Sequence, residues 1–249
     1  MDVLARLERY YDAVPRSDAA VEVHGPLTLY VGTGAWVYYA RPTIAARHVG
    51  GDDVRRMCDR MAEVGVPQCF EWVAETTPTM TSAVRQAGLA VAEGPLLLAV
   101  DPLAVVLPSG VRLLIVGAEE PRLPDYLAVA RVSFGEAPAP STVDDVAHVR
   151  ERIADGRTVL MVAVDRDEPM AAGSHQPVQV AGEWITELVG LGTLPDYRGR
   201  GLAAAIASAL AEHAAAFCDL VFLSAGDGDV ARVYERAGFA RVGTACVGG

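Results

Sequence analysis

The sequence predicts a mixed α/β fold of the α+β type, in which helices flank a twisted mixed sheet. Short apolar runs alternate with segments whose apolar residues recur at helical spacing. Several of these runs are joined by short turns, which predicts local hairpins. A strand, a glycine-bearing loop and a long helix follow one another in the second half, and we place this unit at the centre of the fold.

The first half predicts three helices and four strands. Val54, Met57 and Met61 recur at helical spacing and indicate one of the helices. We interpret the Trp-Val-Tyr-Tyr segment at 36–39 as part of a core strand. The helices are expected at 3–14, 53–63 and 80–87, and the strands at 27–31, 35–40, 69–73 and 96–100.

The second half predicts four helices and six strands. Pro124 is tolerated because it falls in the first turn of its helix. The helices are expected at 123–134, 143–154, 202–217 and 230–237. The strands are expected at 111–116, 159–164, 170–175, 184–191 and 220–223, with a terminal strand from 239.

The two halves resemble each other weakly in their order of elements. A strand, a polar loop, a short helix and a Gly turn at 71–89 compare with the same series at 222–239. Internal duplication is one interpretation, and two unrelated strand–helix–Gly turns are the other. We divide the chain into domains at 1–105 and 106–249, with the proline-bearing segment 99–110 as linker or shared seam.

The composition excludes several kinds of chemistry. All 21 basic residues are arginine, and the absence of lysine excludes a Schiff base, a pyridoxal-phosphate linkage and a Walker A loop. A GC-rich genome is the plain explanation of this absence, because lysine codons are rich in A. The net charge of −11 argues against nucleic acid or an anionic membrane as partner.

The cysteines and histidines point to a cytoplasmic protein without a metal. Four cysteines stand far apart without a CxxC pair, which is typical of reduced thiols. Five scattered histidines give no metal-ligand spacing. The charged amphipathic start is unlike a signal peptide, and no apolar stretch approaches the length of a membrane span.

The strongest motif covers residues 192–203. A strand ends there, because Pro195 has no amide proton to donate to a neighbouring strand. A loop with Gly199 and Gly201 then leads into a long helix. The first amides of a helix have no partners within it and lie at the positive end of its dipole. Such an arrangement can bind a pyrophosphate without lysine. A plain Gly turn before a helix is the alternative.

This motif resembles the acetyl-CoA-binding motif of the GCN5-related N-acetyltransferase (GNAT) family. The run Arg198-Gly199-Arg200-Gly201-Leu202-Ala203 fits the family pattern Q/R-x-x-G-x-G/A, although Thr193 takes the place usually given to Val. A later family motif is matched by Ala231, Tyr234, Gly238 and Phe239. The resemblance covers 111–249 and suggests a tandem GNAT-like protein of two GNAT-like halves. The first half lacks the motif and is expected to be degenerate and non-catalytic.

The resemblance implies acetyl-CoA as co-substrate and assigns its contacts. Backbone groups of Leu191, Gly192 and Thr193 should bind the pantetheine arm. Tyr234 should protonate the departing thiolate as a general acid. The family often has Asn where this chain has Asp227, which cannot donate a hydrogen bond when ionised. The pyrophosphate should be held by the amides of Gly199, Arg200, Gly201, Leu202, Ala203 and Ala204, and Arg198 is also expected to contact the cofactor.

Glu187 is the candidate general base, because only a free amine attacks a thioester. It lies on an apolar strand, where some family members have a catalytic glutamate. A solvent-facing or arginine-paired carboxylate is the alternative, and many members use a water relay instead. We interpret His175 as a surface residue, and a place in the acceptor site is the alternative. Arg232, Arg236 and Arg241 either attract the 3′-phosphate or form a solvated face.

Together these observations predict an N-acetyltransferase that moves an acetyl group from acetyl-CoA to a primary amine by direct attack in a ternary complex. The alternative is a non-catalytic acyl-CoA-binding or sensing module. The acceptor is not identified, although the acidic chain favours cationic amines or basic peptides. A homodimer is compatible with the sequence.

Overall fold

The computed structural model describes residues 2–34, 36–44, 46–104, 106–136 and 141–249. The α-helices are α1 Val3–Ala13, α2 Gly51–Val64, α3 Met80–Gln86, α4 Leu123–Ser133, α5 Val143–Ala154, α6 Leu202–Ala215 and α7 Gly228–Glu235. The strands are β1 Ala19–His24, β2 Leu27–Gly32, β3 Ala40–Pro42, β4 Phe70–Val73, β5 Val91–Ala99, β6 Val111–Val116, β7 Val159–Asp165, β8 Glu168–Val180, β9 Glu183–Thr193, β10 Leu220–Ser224 and β11 Phe239–Gly248. Within these residues, no helix is both long enough and apolar enough to cross a membrane.

The chain divides into two compact units. The first unit comprises Met1–Leu96, Ala225–Gly228 and Val242–Gly249, and the second comprises Leu97–Ser224 and Asp229–Arg241. Residues of β5 and β11 are therefore divided between the units. The predicted domain boundary at 105/106 takes no account of the two C-terminal segments grouped with the first unit, and it stays a prediction.

The first unit contains a mixed sheet. Strands β1, β2 and β3 pair antiparallel in succession, β3 and β4 pair parallel, and β4 pairs antiparallel with β11. Helices α2 and α3 cover one face. Met57 and Met61 of α2 and Met80 of α3 form a buried cluster with Phe70 and Trp72 of β4. The apolar positions that predicted α2 therefore face the sheet.

One predicted strand of this unit is wrong over most of its length. The structure has a strand at Ala40–Pro42 rather than at 35–40, and residue 35 lies outside the described residues. The backbone of Trp36 lies close to Gly32, where a Cβ would be 2.2 Å from the carbonyl oxygen of Trp36. Tyr38 is buried but Val37 is exposed, so burial here does not require a strand.

The strands of the second unit also pair in a mixed arrangement. Strands β6 to β9 pair antiparallel in sequence order, and β9 pairs parallel with β10. Helix α6 packs on one face, where a Cβ at Gly173 would meet Leu191 and Ile206. Helix α4 packs on the other face, where a Cβ at Gly192 would meet Ser133 at 2.6 Å. The predicted fold class is confirmed, because each unit combines parallel and antiparallel strand pairs with flanking helices.

The interpretation of His175 as a surface residue is wrong. Its side chain on β8 is fully buried beneath the end of α6. Nδ1 lies 3.1 Å from Oγ1 of Thr186, and Nε2 lies 3.1 Å from Nδ1 of His213. Both ring nitrogens thus have partners, which allows a histidine to be buried. Burial, with a contribution from His213, lowers the pKa of His175 to about 4.

Candidate active site

A cavity of about 620 Å³ lies within the second unit. Its volume is in the range of pockets that bind small ligands and cofactors, which is roughly 300–1,000 Å³. The wall combines the end of α4, the end of β9, the loop before α6, the first turn of α6 and α7. The lining residues are Ser133, Phe134, Leu191, Gly192, Thr193, Tyr197, Arg198, Gly199, Gly201, Leu202, Ala203, Ala204, Val230, Val233, Tyr234 and Arg236.

Strand β9 presents a free edge to this cavity. Its pairing with β10 ends at Leu188, whereas its pairing with β8 continues to Thr193. The register with β8 shifts between Ala172 and Ser174, and Gly190 opposite this shift has φ +62°. A bulge of this kind redirects a strand. The edge of β9 beyond Leu188 therefore has no strand partner on the β10 side within the described residues.

Alternation along β9 identifies the backbone groups on that edge. The amide of Leu194 donates to the carbonyl of Met170 on β8 at 2.9 Å. Because alternate residues of a strand address opposite neighbours, Leu191 and Thr193 address the side away from β8. The carbonyl of Thr193 accordingly accepts from Arg198. The Thr193 hydroxyl is buried, and it has no hydrogen-bond partner among the residues that the structure describes.

The loop before α6 keeps the helix N-terminus open. Gly199 and Gly201 have φ +74° and +78°, a left-handed conformation that favours glycine, and a Cβ at either position would meet open space. Helix α6 has no side-chain cap and no acidic residue in its first turn. The amide of Ala205 bonds to the carbonyl of Gly201, which leaves the three preceding amides, 202–204, without helical partners. These amides form a site suited to an anion.

The two arginines of the motif contact backbone carbonyls. Arg198 donates from Nη2 to the carbonyl of Ser133 at 2.9 Å and from Nε to that of Thr193 at 3.3 Å, and so joins α4 to the end of β9. Arg200 donates to the carbonyl of Asp196, and its guanidinium lies 5.2 Å from the ring centroid of Tyr197. Arg198 lines the cavity and Arg200 does not.

Tyr234 on α7 is the buried phenol of the cavity wall. Its side chain is 4% exposed, and its ring packs edge-on against Phe239. Burial raises the pKa of the hydroxyl to about 12. The hydroxyl has no hydrogen-bond partner among the described residues. It is therefore protonated at neutral pH and can donate to a ligand.

Glu187 lies on β9, four residues before Leu191, and is buried. Ser224 at the end of β10 donates from Oγ to Oε1 of Glu187 at 3.1 Å. Glu187 is not among the residues that line the cavity. The structure therefore places this carboxylate on the strand that borders the cavity rather than in its wall, and its role as base stays a prediction.

The other charged residues that the sequence suggested as cofactor contacts differ in whether they line the cavity. Arg236 lines the cavity and has no acidic partner within the described residues. Arg232 and Arg241 pair instead with Asp229 and Glu235. Asp227 belongs to the Ala225–Gly228 segment of the first unit and does not line the cavity. Of the three arginines, Arg236 is thus the one placed to attract a phosphate.

Several residues of the cavity were not predicted. Ser133 and Phe134 reach it because α4 packs on β9, which local sequence does not reveal. Val230 and Val233 follow from the position of α7. The glycines at 190 and 192, on either side of Leu191, were the available sequence signal for the bulge in β9. No group of three potential metal ligands occurs among the described residues.

Comparison with families of known proteins gives a match to part of the chain. Residues 126–239 match the family model of the acetyltransferase (GNAT) family. This segment is therefore similar to the GNAT family, and acetyl transfer is the general activity that the match supports. The matched segment contains Leu191, the 198–204 loop and Tyr234. No curated protein is similar enough in sequence to count as a match.

Several solved structures share the fold. A GCN5-related N-acetyltransferase from Kribbella flavida has a TM-score of 0.75 at 21% identity, covering 100% of this chain and 96% of its own. A GCN5-related N-acetyltransferase-like protein from Streptococcus suis has a TM-score of 0.60 at 12% identity, covering 98% and 97%. A tandem GNAT protein from the clavulanic acid biosynthesis pathway has a TM-score of 0.58 at 16% identity, covering 89% and 77%. At these identities the likeness shows the fold alone.

Proposed function

We propose that the second unit transfers an acetyl group from acetyl-CoA directly to a primary amine in a ternary complex. One observation carries the proposal: the free edge of β9, the uncapped start of α6 and the Tyr234 phenol meet in a single cavity. A thioester donor with a diphosphate needs these three features, namely an extended edge for the arm, an anion site and a proton donor.

Each part of the donor substrate has a matching group among the residues that line the cavity. Amides 202–204 would hold the pyrophosphate, and the left-handed glycines allow close approach. Arg236 would neutralise a further phosphate. Leu191 and Thr193 would pair with the pantetheine arm as an added strand would, and the Thr193 hydroxyl offers one more hydrogen bond.

The transfer itself needs three further roles. Glu187 would take a proton from the amine, directly or through water, because only the neutral amine attacks. The amide of Leu191 would face the oxygen on which negative charge develops. Tyr234 would give its proton to the departing sulfur. Holding the amine and the thioester side by side lowers the entropic part of the activation barrier.

The first half differs at the corresponding helix start, which supports the proposal that it does not bind the donor. The amide of Gly50 donates to Oδ2 of Asp53 at 2.9 Å, and the amide of Val49 donates to the Thr79 hydroxyl. Asp52 and Asp53 also place negative charge in the first turn of α2. A phosphate would meet occupied amides and two carboxylates there, which is unfavourable.

The test combines binding and turnover. Calorimetry with acetyl-CoA should show binding, and a panel of amines and amino acids read by free-thiol release should identify an acceptor. A cationic small amine is the class expected from the charge of −11. Binding without thiol release from any amine would favour the non-catalytic acyl-CoA-binding module, and absence of binding would contradict both.

A further inference from the structure

The carboxylate of Glu187 lies where two parallel strands separate. The pairing of β9 with β10 runs from Ile185 opposite Leu220 to Leu188 opposite Leu223. Ser224 is the next residue of β10 after the last pair. Because side chains alternate along a strand, Ser224 projects on the same face as Phe222, which is opposite Glu187. Ser224 therefore reaches Glu187 diagonally at the point where the strands diverge.

The contact between the two side chains joins a buried group to an exposed one. Oγ of Ser224 lies 3.1 Å from Oε1 of Glu187, within the range of a good hydrogen bond. Glu187 is 8% exposed, whereas Ser224 is exposed. A hydroxyl that donates to a carboxylate favours its ionised form and restricts its rotation.

We infer that Ser224 is a positioning residue for Glu187: the Ser224 hydroxyl donates to the carboxylate and keeps it ionised and ready to accept a proton. The inference rests on the proposed function in so far as it treats Glu187 as the base. Nothing in the acetyl-CoA motif points to Ser224, because the serine lies on β10, outside that motif.

Other ionisable groups on the elements packed against β9 must be separated from Glu187 in any titration. Strand β10 has none, and His175 on β8 bonds to Thr186, on the opposite face from Glu187. The remaining ionisable groups are Glu168 on β8, Glu212 and His213 on α6, and Asp125, Tyr126 and Arg131 on α4. A probe specific to the Glu187 carboxylate is therefore needed.

Carbon-13 NMR of the full chain, labelled at the glutamate carboxyl carbons, provides that probe without any acceptor. The signal that disappears in Glu187→Gln belongs to Glu187. In Ser224→Ala its titration midpoint should rise by about half to one pH unit, because the ionised form loses a donor. Ser224→Thr keeps the hydroxyl and should restore the wild-type midpoint. An unchanged midpoint in Ser224→Ala would overturn the inference.

Kinetics separate the inference from the function on which it rests. With the best amine of the panel, Ser224→Ala should shift the acid limb of kcat/KM upward and leave the value at high pH within about twofold. A uniform loss at all pH values would mark a merely structural role and overturn the inference. If Glu187→Gln keeps the acid limb of kcat/KM, Glu187 is not the base, and both the proposed mechanism and the inference are contradicted. If Glu187→Gln removes the limb but Ser224→Ala leaves it in place, the inference alone fails.

Discussion

Tyr234 combines a buried ring with a place in the cavity wall. Its pKa of about 12 follows from burial, so the phenol holds its proton at neutral and mildly alkaline pH. A residue with this environment donates a proton rather than accepting one. The structure therefore gives Tyr234 the protonation state that a general acid requires.

Replacing Tyr234 with Phe tests this role directly, because only the hydroxyl is lost. Turnover should fall by about 10²-fold, while the Kd for acetyl-CoA from calorimetry stays within about twofold. Tyr126→Phe is the matched control, since Tyr126 is a buried phenol of the same unit that does not line the cavity. Unchanged turnover in Tyr234→Phe would remove the residue from the mechanism.

Arg198 and Arg236 line the same cavity but act through different properties. Arg198 spans two carbonyls, which needs the planar guanidinium, whereas Arg236 offers a charge without an acidic partner in the described chain. Arg198→Lys should therefore raise the Kd for acetyl-CoA about as much as Arg198→Ala does, roughly tenfold. Arg236→Lys should restore most of the roughly threefold loss of Arg236→Ala, and that loss should shrink at high salt. Calorimetry at two salt concentrations measures both, and rescue of Arg198 by Lys would contradict the distinction.

At the scale of elements, the sequence located α5 to the residue and missed β1 entirely. Thr142 caps α5 by accepting from the amide of Asp145, and Gly156 follows the last turn, so both ends carry a local signal. Strand β1 has no consistently buried face, so it shows no hydrophobic alternation to detect. Short edge strands depend on their partner for stability, and only the tertiary structure shows that partner.

The contact between β8 and the last turns of α6 has a pH dependence of its own. His175 has a pKa of about 4 in the folded chain against an ordinary value of 6.5, so the unfolded chain binds more protons between these values. Stability is therefore lost as the pH falls through this window. From pH 7.5 to pH 5, the free energy of unfolding should fall by about 2 kcal/mol more in the wild type than in His175→Gln. Urea unfolding at the two pH values measures this, and parallel losses would refute it.

At the scale of the whole molecule, the two halves present opposite electrostatics at corresponding helix starts. Helix α6 begins without an acidic residue in its first turn, whereas α2 begins with Asp52 and Asp53. The prediction of two similar halves is therefore compatible with a single anion site in the chain. A first half that does not bind the donor would not need a particular sequence in the loop before α2.

This asymmetry predicts one acetyl-CoA per chain. Calorimetry of the full chain should give a stoichiometry of one. Ala203→Asp, which adds an acidic residue to the first turn of α6, should abolish all detectable binding, because a like charge faces the phosphate. Ala203→Ser is the neutral control and should bind with a Kd within about threefold of the wild type. A second site that survives Ala203→Asp would show that the first half binds the donor as well.

The sequence by itself determined the fold class and the glycine loop before α6, because these depend on local spacing and on backbone conformations that few residues adopt. Its resemblance to a known family pointed to Tyr234. The sequence also excluded lysine chemistry, which leaves amides and arginine to hold phosphates. The tertiary structure decided what these residues do together. It turned Arg198 toward two carbonyls, buried His175, brought Phe134 of α4 to the cavity and set Ser224 beside Glu187. Such contacts join residues far apart in the chain, and packing rather than local sequence selects them.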